Sequence, residues 1–182
     1  MGIPTKRHLA MRPAFVAGRL GGLAKPTPVT VGCWSGYSCP IFNSDDEELF
    51  WRLHVPGRWD GASDIMYYLL VCLSVADSAD ETFRFQLSWN HCDGSTSVID
   101  TAAVQDLTAD VTLSAGHTDQ YSIFTLAFTI DWDIDTPDIV AGDVLGGRVR
   151  RVTSGATDIT SGHEVIVLDH WLRFQVDKIF KA

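Results

Sequence analysis

The run Asp131-Trp-Asp-Ile-Asp-Thr-Pro-Asp138 holds the carboxylates of this chain best spaced for chemistry. In extended backbone alternate residues share a face, so Asp131, Asp133 and Asp135 would gather their oxygens on one side and could hold a hard cation such as calcium. The run departs from a calcium loop of the EF-hand type, because Thr136 stands where the turn glycine belongs and Gly142 where the bidentate Glu belongs. A solvated strand end accounts for the same carboxylates without a metal, so no metal or other cofactor is expected.

Other chemical signatures are incomplete. His163-Glu164 is not followed by a second His, and no GxSxG, P-loop or GxGxxG pattern occurs. The six histidines are scattered, and His170 on an apolar face reads as a hydrogen-bonded core residue rather than a ligand. Cys33, Cys39, Cys72 and Cys92 form no CxxC pair or zinc spacing. Cys33 and Cys39 could bridge in an oxidising medium, while the four read more simply as free thiols of a protein made in a reducing cytosol. The loop Pro56-Gly-Arg-Trp-Asp-Gly61 sets Arg58 beside Trp59, a pair that could stack on sugars or anchor an interface. Trp59 could equally plug the open end of the fold. The chain is not expected to be an enzyme.

The elements that must position these residues are strands. Leu49, Trp51, Leu53 and Val55 alternate with polar or outward neighbours, as do Phe83, Phe85, Leu87 and Trp89, and Phe124, Leu126, Phe128 and Ile130. Near the end Ile166, Leu168, His170, Leu172, Phe174 and Val176 are predicted on one face, opposite Asp169, Trp171, Arg173 and Gln175. The stretch 65–75 is apolar on both faces and should be central. Weaker strands are expected near 98–104, 110–114 and 143–152. Turn signals such as Pro56-Gly57, Asp93-Gly94 and Ala141-Gly142 separate them. The pattern predicts an all-β fold: an antiparallel β-sandwich over 46–182. No apolar run is long enough to span a bilayer as a helix, and the N-terminus lacks the pattern of a secretory signal.

Charge is unevenly divided. Residues 1–44 hold Lys6, Arg7, Arg12, Arg19 and Lys25 and no acid, while the rest of the chain carries all twenty-three Asp/Glu against nine Lys/Arg. Five of the seven prolines also lie in the first segment. Residues 1–45 are therefore expected to be an extended, basic, Gly/Pro-rich arm, with a helix over 12–20 as the one regular element. Lys6, Arg7, Arg12, Phe15, Arg19, Leu23, Trp34 and Tyr37 would make its contacts. The acidic remainder excludes a nucleic-acid platform outside the arm.

The succession "HVPGRWDG", "DIMYYLLVCLSVA", "FRFQLSWN", "FTLAFTI", "AGDVLGGRVRR" and "WLRFQV" resembles small jelly-roll-like virion proteins of tailed phages and other viruses, of the capsid-decoration, fibre or knob type. The resemblance, which covers about 47–176, implies a jelly-roll-like virion structural protein, made in the host cytoplasm and commonly a trimer. The arm lies outside it and is expected to dock the protein to a major shell protein and to copies of itself. The alternative is a carbohydrate-binding or host-recognition module of a phage tail or fibre. A hydrolase using the Asp-rich run is a third reading.

Overall fold

The computed structural model describes residues 7–19, 26–39, 47–76, 80–93, 104–113, 119–134, 138–152 and 164–176. They form eleven strands: β1 (Arg7–Met11), β2 (Val16–Arg19), β3 (Thr27–Val31), β4 (Trp34–Cys39), β5 (Glu47–His54), β6 (Ile65–Leu73), β7 (Thr82–Cys92), β8 (Gln105–Thr112), β9 (Ile123–Ile130), β10 (Val144–Val152) and β11 (Val165–Val176). One sheet runs β3-β4-β11-β6-β9, with β1 also paired to β11; the other runs β2-β5-β10-β7-β8. Every pairing is antiparallel.

Strands β4 to β11 give the orders β4-β11-β6-β9 and β5-β10-β7-β8, the arrangement of a jelly roll. The chain crosses between the sheets at almost every step, because each strand is apolar on one side and needs the opposite sheet to cover it. The expected antiparallel sandwich is what this chain forms, and β6 is interior to its sheet as its two-sided apolar run requires.

The core follows the alternation. Trp51, Leu69, Val71, Phe83, Phe85, Leu87, Leu126, Phe128, Leu172 and Phe174 are buried, and Leu53 and Phe124 pack against them half-buried. Trp51 of one sheet stacks on Tyr67 of the other with centroids 5.2 Å apart, and Phe83 meets Phe124 edge-on at 5.8 Å. Contacts of this kind add about 0.5–1.5 kcal/mol each beyond the area they bury.

Strict alternation fails once in β11. Its register against β6 slips between Val167 and Asp169, so Leu168 is the extra residue of a bulge. Val165 and Val167, rather than Ile166 and Leu168, join the core cluster, and His170 follows in phase beyond the bulge. Without that insertion Asp169 would point into the apolar interior, at a desolvation cost that the bulge avoids.

The N-terminal stretch is extended, as expected, but its described residues are laced into both sheets. β1 pairs with β11, β2 with β5, and β3 and β4 form a hairpin beside β11. The helix expected over 12–20 is absent from the described part: residues 12–15 cross between the sheets, and 16–19 are β2. Backbone hydrogen bonds offered by the edge of β5 outweigh a helix signal resting on Pro13 alone. Pro28 is tolerated because β3 is an edge strand. The strand expected at 98–104 falls largely outside the described residues, and the one expected at 110–114 begins earlier, at Gln105.

Candidate functional site

The sequence-derived candidates separate rather than converge. Asp135 lies outside the described residues; of its companions, the backbone N–H of Asp133 donates to Asp131 Oδ1 at 3.4 Å. A side-chain hydrogen bond with Asp131, and that residue's negative charge, raise the pKa of Asp133. Among the described residues no group of three His, Cys, Asp or Glu side chains is arranged to hold a metal.

Trp59 is 5% exposed, donates its indole N–H to Ser63 O at 3.1 Å, and meets Trp132 edge-on at 6.4 Å. It plugs the end of the sandwich and offers no ring face to a ligand, while Arg58 beside it is exposed. Cys33 and Cys39 are both free thiols, standing in the turn before β4 and at its far end. Six residues of strand separate them by about 20 Å, well beyond the roughly 7 Å a disulfide spans.

Of the arm residues, Lys6 and Leu23 lie outside the described residues, and Arg19 is placed in β2. Arg7 is exposed in β1, and Trp34 is exposed at the β3–β4 turn. The others fasten the crossing between β1 and β2. Arg12 pairs with Asp169 at 3.4 Å and sits 6.0 Å over the Trp171 ring. Phe15 stacks on His170 with centroids 3.6 Å apart and meets Tyr37 edge-on. His170 Nε2 lies 2.7 Å from the Pro13 carbonyl and Nδ1 2.9 Å from the Tyr67 hydroxyl. A carbonyl can only accept, so Nε2 carries the proton and Nδ1 receives the hydroxyl hydrogen. Burial, and the charge of Asp169, hold the Tyr67 phenol well above its usual pKa, so it remains a donor. His170 is a hydrogen-bonded core residue, as its apolar face implied.

Among the described residues, an imidazole–carboxylate contact is also structural. His91 Nδ1 lies 3.3 Å from Asp143 Oδ2, which also accepts the Val140 N–H at 2.8 Å. Both side chains are nearly buried and close the turn entering β10.

A surface suited to a ligand lies on the outer face of the β2-β5-β10-β7-β8 sheet. Register places Val16, Phe50, Arg148, Ser88 and Asp106 in one row across all five strands. Five strands spaced about 4.8 Å apart make that row roughly 19 Å long. The next row holds Arg52, Gly146 and Asn90. Gly146 contributes no side chain, which leaves a hollow of about 260 Å³ lined by Phe50, Ser88, Asn90, Val104 and Arg148 among others. A second hollow of about 460 Å³ lies on the β2 side of Phe50, against Ala14, Val16 and Arg52. The two are lined in common by Phe50 and Trp51, so they adjoin there and together form one trough.

Below the trough, a Cβ on Gly147 would come within 2.5–2.8 Å of the Trp51 indole, so the ring occupies the space the missing side chain vacates. Gly146 has only Asn90 Oδ1 within reach of a built Cβ, at 3.7 Å. One glycine closes the core and the other opens the surface.

The outer face of the other sheet carries more aromatics but offers them less freely. Tyr68 and Trp171 stack at 5.1 Å, with Arg12 over Trp171 and Arg173 5.2 Å over Tyr68. Phe50 has no ring or cation partner among the described residues. Sequence reading missed the trough because its members come from five strands, three of them joined only by non-consecutive pairing.

No protein-family model matches the chain, and no curated protein matches it. Among solved structures the chain is similar to a xylan-binding module, CBM15, with a TM-score of 0.52 and 13% identity over 96% of this chain and 100% of that one. It is also similar to the enzymatically active domain of tailspike protein 4 of bacteriophage CBA120, with a TM-score of 0.31 and 8% identity. That match covers 94% of this chain but 19% of the tailspike chain, and it is too distant to carry an argument. The first likeness shows a β-sandwich of the same general kind.

Proposed function

We propose that this sandwich is a glycan-binding module that holds a saccharide chain across the outer face of the β2-β5-β10-β7-β8 sheet. The observation that carries the reading is the trough around Phe50. A sugar ring presents an apolar C–H face and a fringe of hydroxyls, and the trough offers a free aromatic ring bordered by Arg52, Asn90, Ser88 and Arg148. The similarity to a sandwich named as a xylan-binding module supports the reading at the level of fold. Within a phage particle the same face would serve host recognition on a tail or fibre, a setting that rests on the sequence resemblance alone. Docking to a shell through residues 1–45 receives less support, because residues 7–11, 16–19, 27–31 and 34–39 are already paired as strands.

Affinity electrophoresis and calorimetry against soluble polysaccharides test this. Binding of at least one polysaccharide should fall about ten-fold or more in Phe50→Ala, with the melting temperature nearly unchanged because the ring faces outward. Undiminished binding in that variant, or no binding to any polysaccharide, overturns the reading.

A further inference from the structure

We infer that the ligand of the trough is an acidic saccharide chain, with its carboxylates received by Arg52 and Arg148 on adjacent rows beside the Gly146 hollow. The inference rests on the glycan-binding reading and adds the charge of the ligand.

The argument is the distribution of pairing on this face. The carboxylates described on it, Asp106, Asp110 and Glu48, are already engaged within the protein. Asp110 takes both nitrogens of Arg84 at 2.6 and 2.7 Å, and Asp106 accepts the Ser88 hydroxyl at 2.5 Å. Glu48 is fully buried beside Arg148 at 3.0 Å and Arg150 at 3.8 Å. Arg52 is exposed and makes no hydrogen bond or ion pair among the described residues. That is unexpected in a chain with 23 acidic and 14 basic side chains, where a carboxylate is the commoner charged neighbour. Arg148 is committed to Glu48 through Nη1, and its side chain is 28% exposed along the trough.

A guanidinium presents a planar fork that matches a carboxylate, so arginines at the rim favour uronate-type sugars over neutral ones. The protein as a whole carries −9, which repels a polyanion at long range. At about 0.1 M salt the screening length is about 10 Å, so a chain seated in the trough responds chiefly to the arginines beneath it.

The test uses the full chain at about 0.1 M salt and three soluble probes: polygalacturonate, alginate and hyaluronan, each beside its carboxyl-reduced counterpart. At least one acidic probe should bind about ten-fold or more tightly than its reduced form, the ratio a charge-assisted contact of ordinary strength supplies. Arg52→Gln should bring that ratio within about two-fold. Arg84→Gln, which alters an arginine already held by Asp110, should leave it unchanged. Because Arg52 is exposed, Arg52→Gln should melt with the wild type, which separates lost recognition from lost folding.

Equal binding of acidic and reduced forms, an intact ratio in Arg52→Gln, or failure of every acidic probe overturns the inference. If only neutral chains bind, and Phe50→Ala abolishes that binding, the glycan reading stands while the acidic ligand falls. If nothing binds, both fall.

Discussion

His170 and Pro13, 157 residues apart in sequence, are joined by a hydrogen bond of 2.7 Å from an imidazole Nε2 to a main-chain carbonyl. The ring is buried on the core side of β11, and the carbonyl belongs to the crossing that carries the chain from β1 to β2. The bond therefore ties the first two strands to the interior.

Burial lowers the His170 pKa to about 4, against an ordinary 6.5. Between those values the unfolded chain binds a proton that the folded chain refuses, so stability falls as pH drops from about 6.5 to about 4 and changes no further from this group below that. The difference corresponds to about 3 kcal/mol. Urea titrations at stepped pH should show that loss in the wild type. His170→Gln can keep a donor for Pro13 and an acceptor for Tyr67, and should lose most of the acid slope in this window. An equal slope in the variant would assign the acid sensitivity elsewhere.

The adjacent glycines should behave oppositely. Gly147→Ala must displace the Trp51 indole, which is stacked on Tyr67, and should destabilise the fold by about 1–3 kcal/mol. Gly146→Ala meets only an ordinary contact and should fold at wild-type stability while weakening saccharide binding by filling the hollow. Paired thermal melts and binding titrations distinguish the two.

Trp59 and Arg58 should also part company. Trp59→Ala empties a buried site at the end of the core and should cost about 3–5 kcal/mol, while Arg58→Ala should change neither melting nor binding. A ligand-binding loop would give the reverse pattern, with binding lost and stability kept.

Removal of residues 2–44 should prevent folding rather than release a stable sandwich, as a dispensable arm would. The truncation uncovers β11 along Val165–Val167 and Leu172–Val176 and discards the buried Ser38 and Cys39. Circular dichroism and size-exclusion chromatography of the truncated chain decide the point; a soluble species melting with the full chain would show these strands to be accessory.

The body of the fold was legible because its signal is local. Phe83, Phe85 and Leu87 alternate within a few residues, and that pattern fixes which way each points. β1 carries no such signal, since Arg7 to Ala10 are all exposed and a strand at a sheet edge has no need to alternate. Charge and proline content then led composition toward an arm. The bulge at Leu168 was invisible for a related reason: period two cannot reveal an extra residue inserted between two apolar runs. The trough is the extreme case. Phe50, Gly146 and Ser88 are unremarkable singly, and they become neighbours only through the pairing of β5 and β7 to β10.

The order in which the strands pair has a kinetic consequence. The strand at the centre of the first sheet, β11, follows every other in sequence, yet β1, β4 and β6 all hydrogen-bond to it. During synthesis those three strands emerge long before their shared partner, and their edges stay open until residues past 165 leave the ribosome. Such a topology, rich in distant pairings, folds on the millisecond-to-second scale. Until then the waiting strands present templates for one another on neighbouring chains. Yield of soluble protein is accordingly set less by the finished sandwich than by the interval before its last strand arrives.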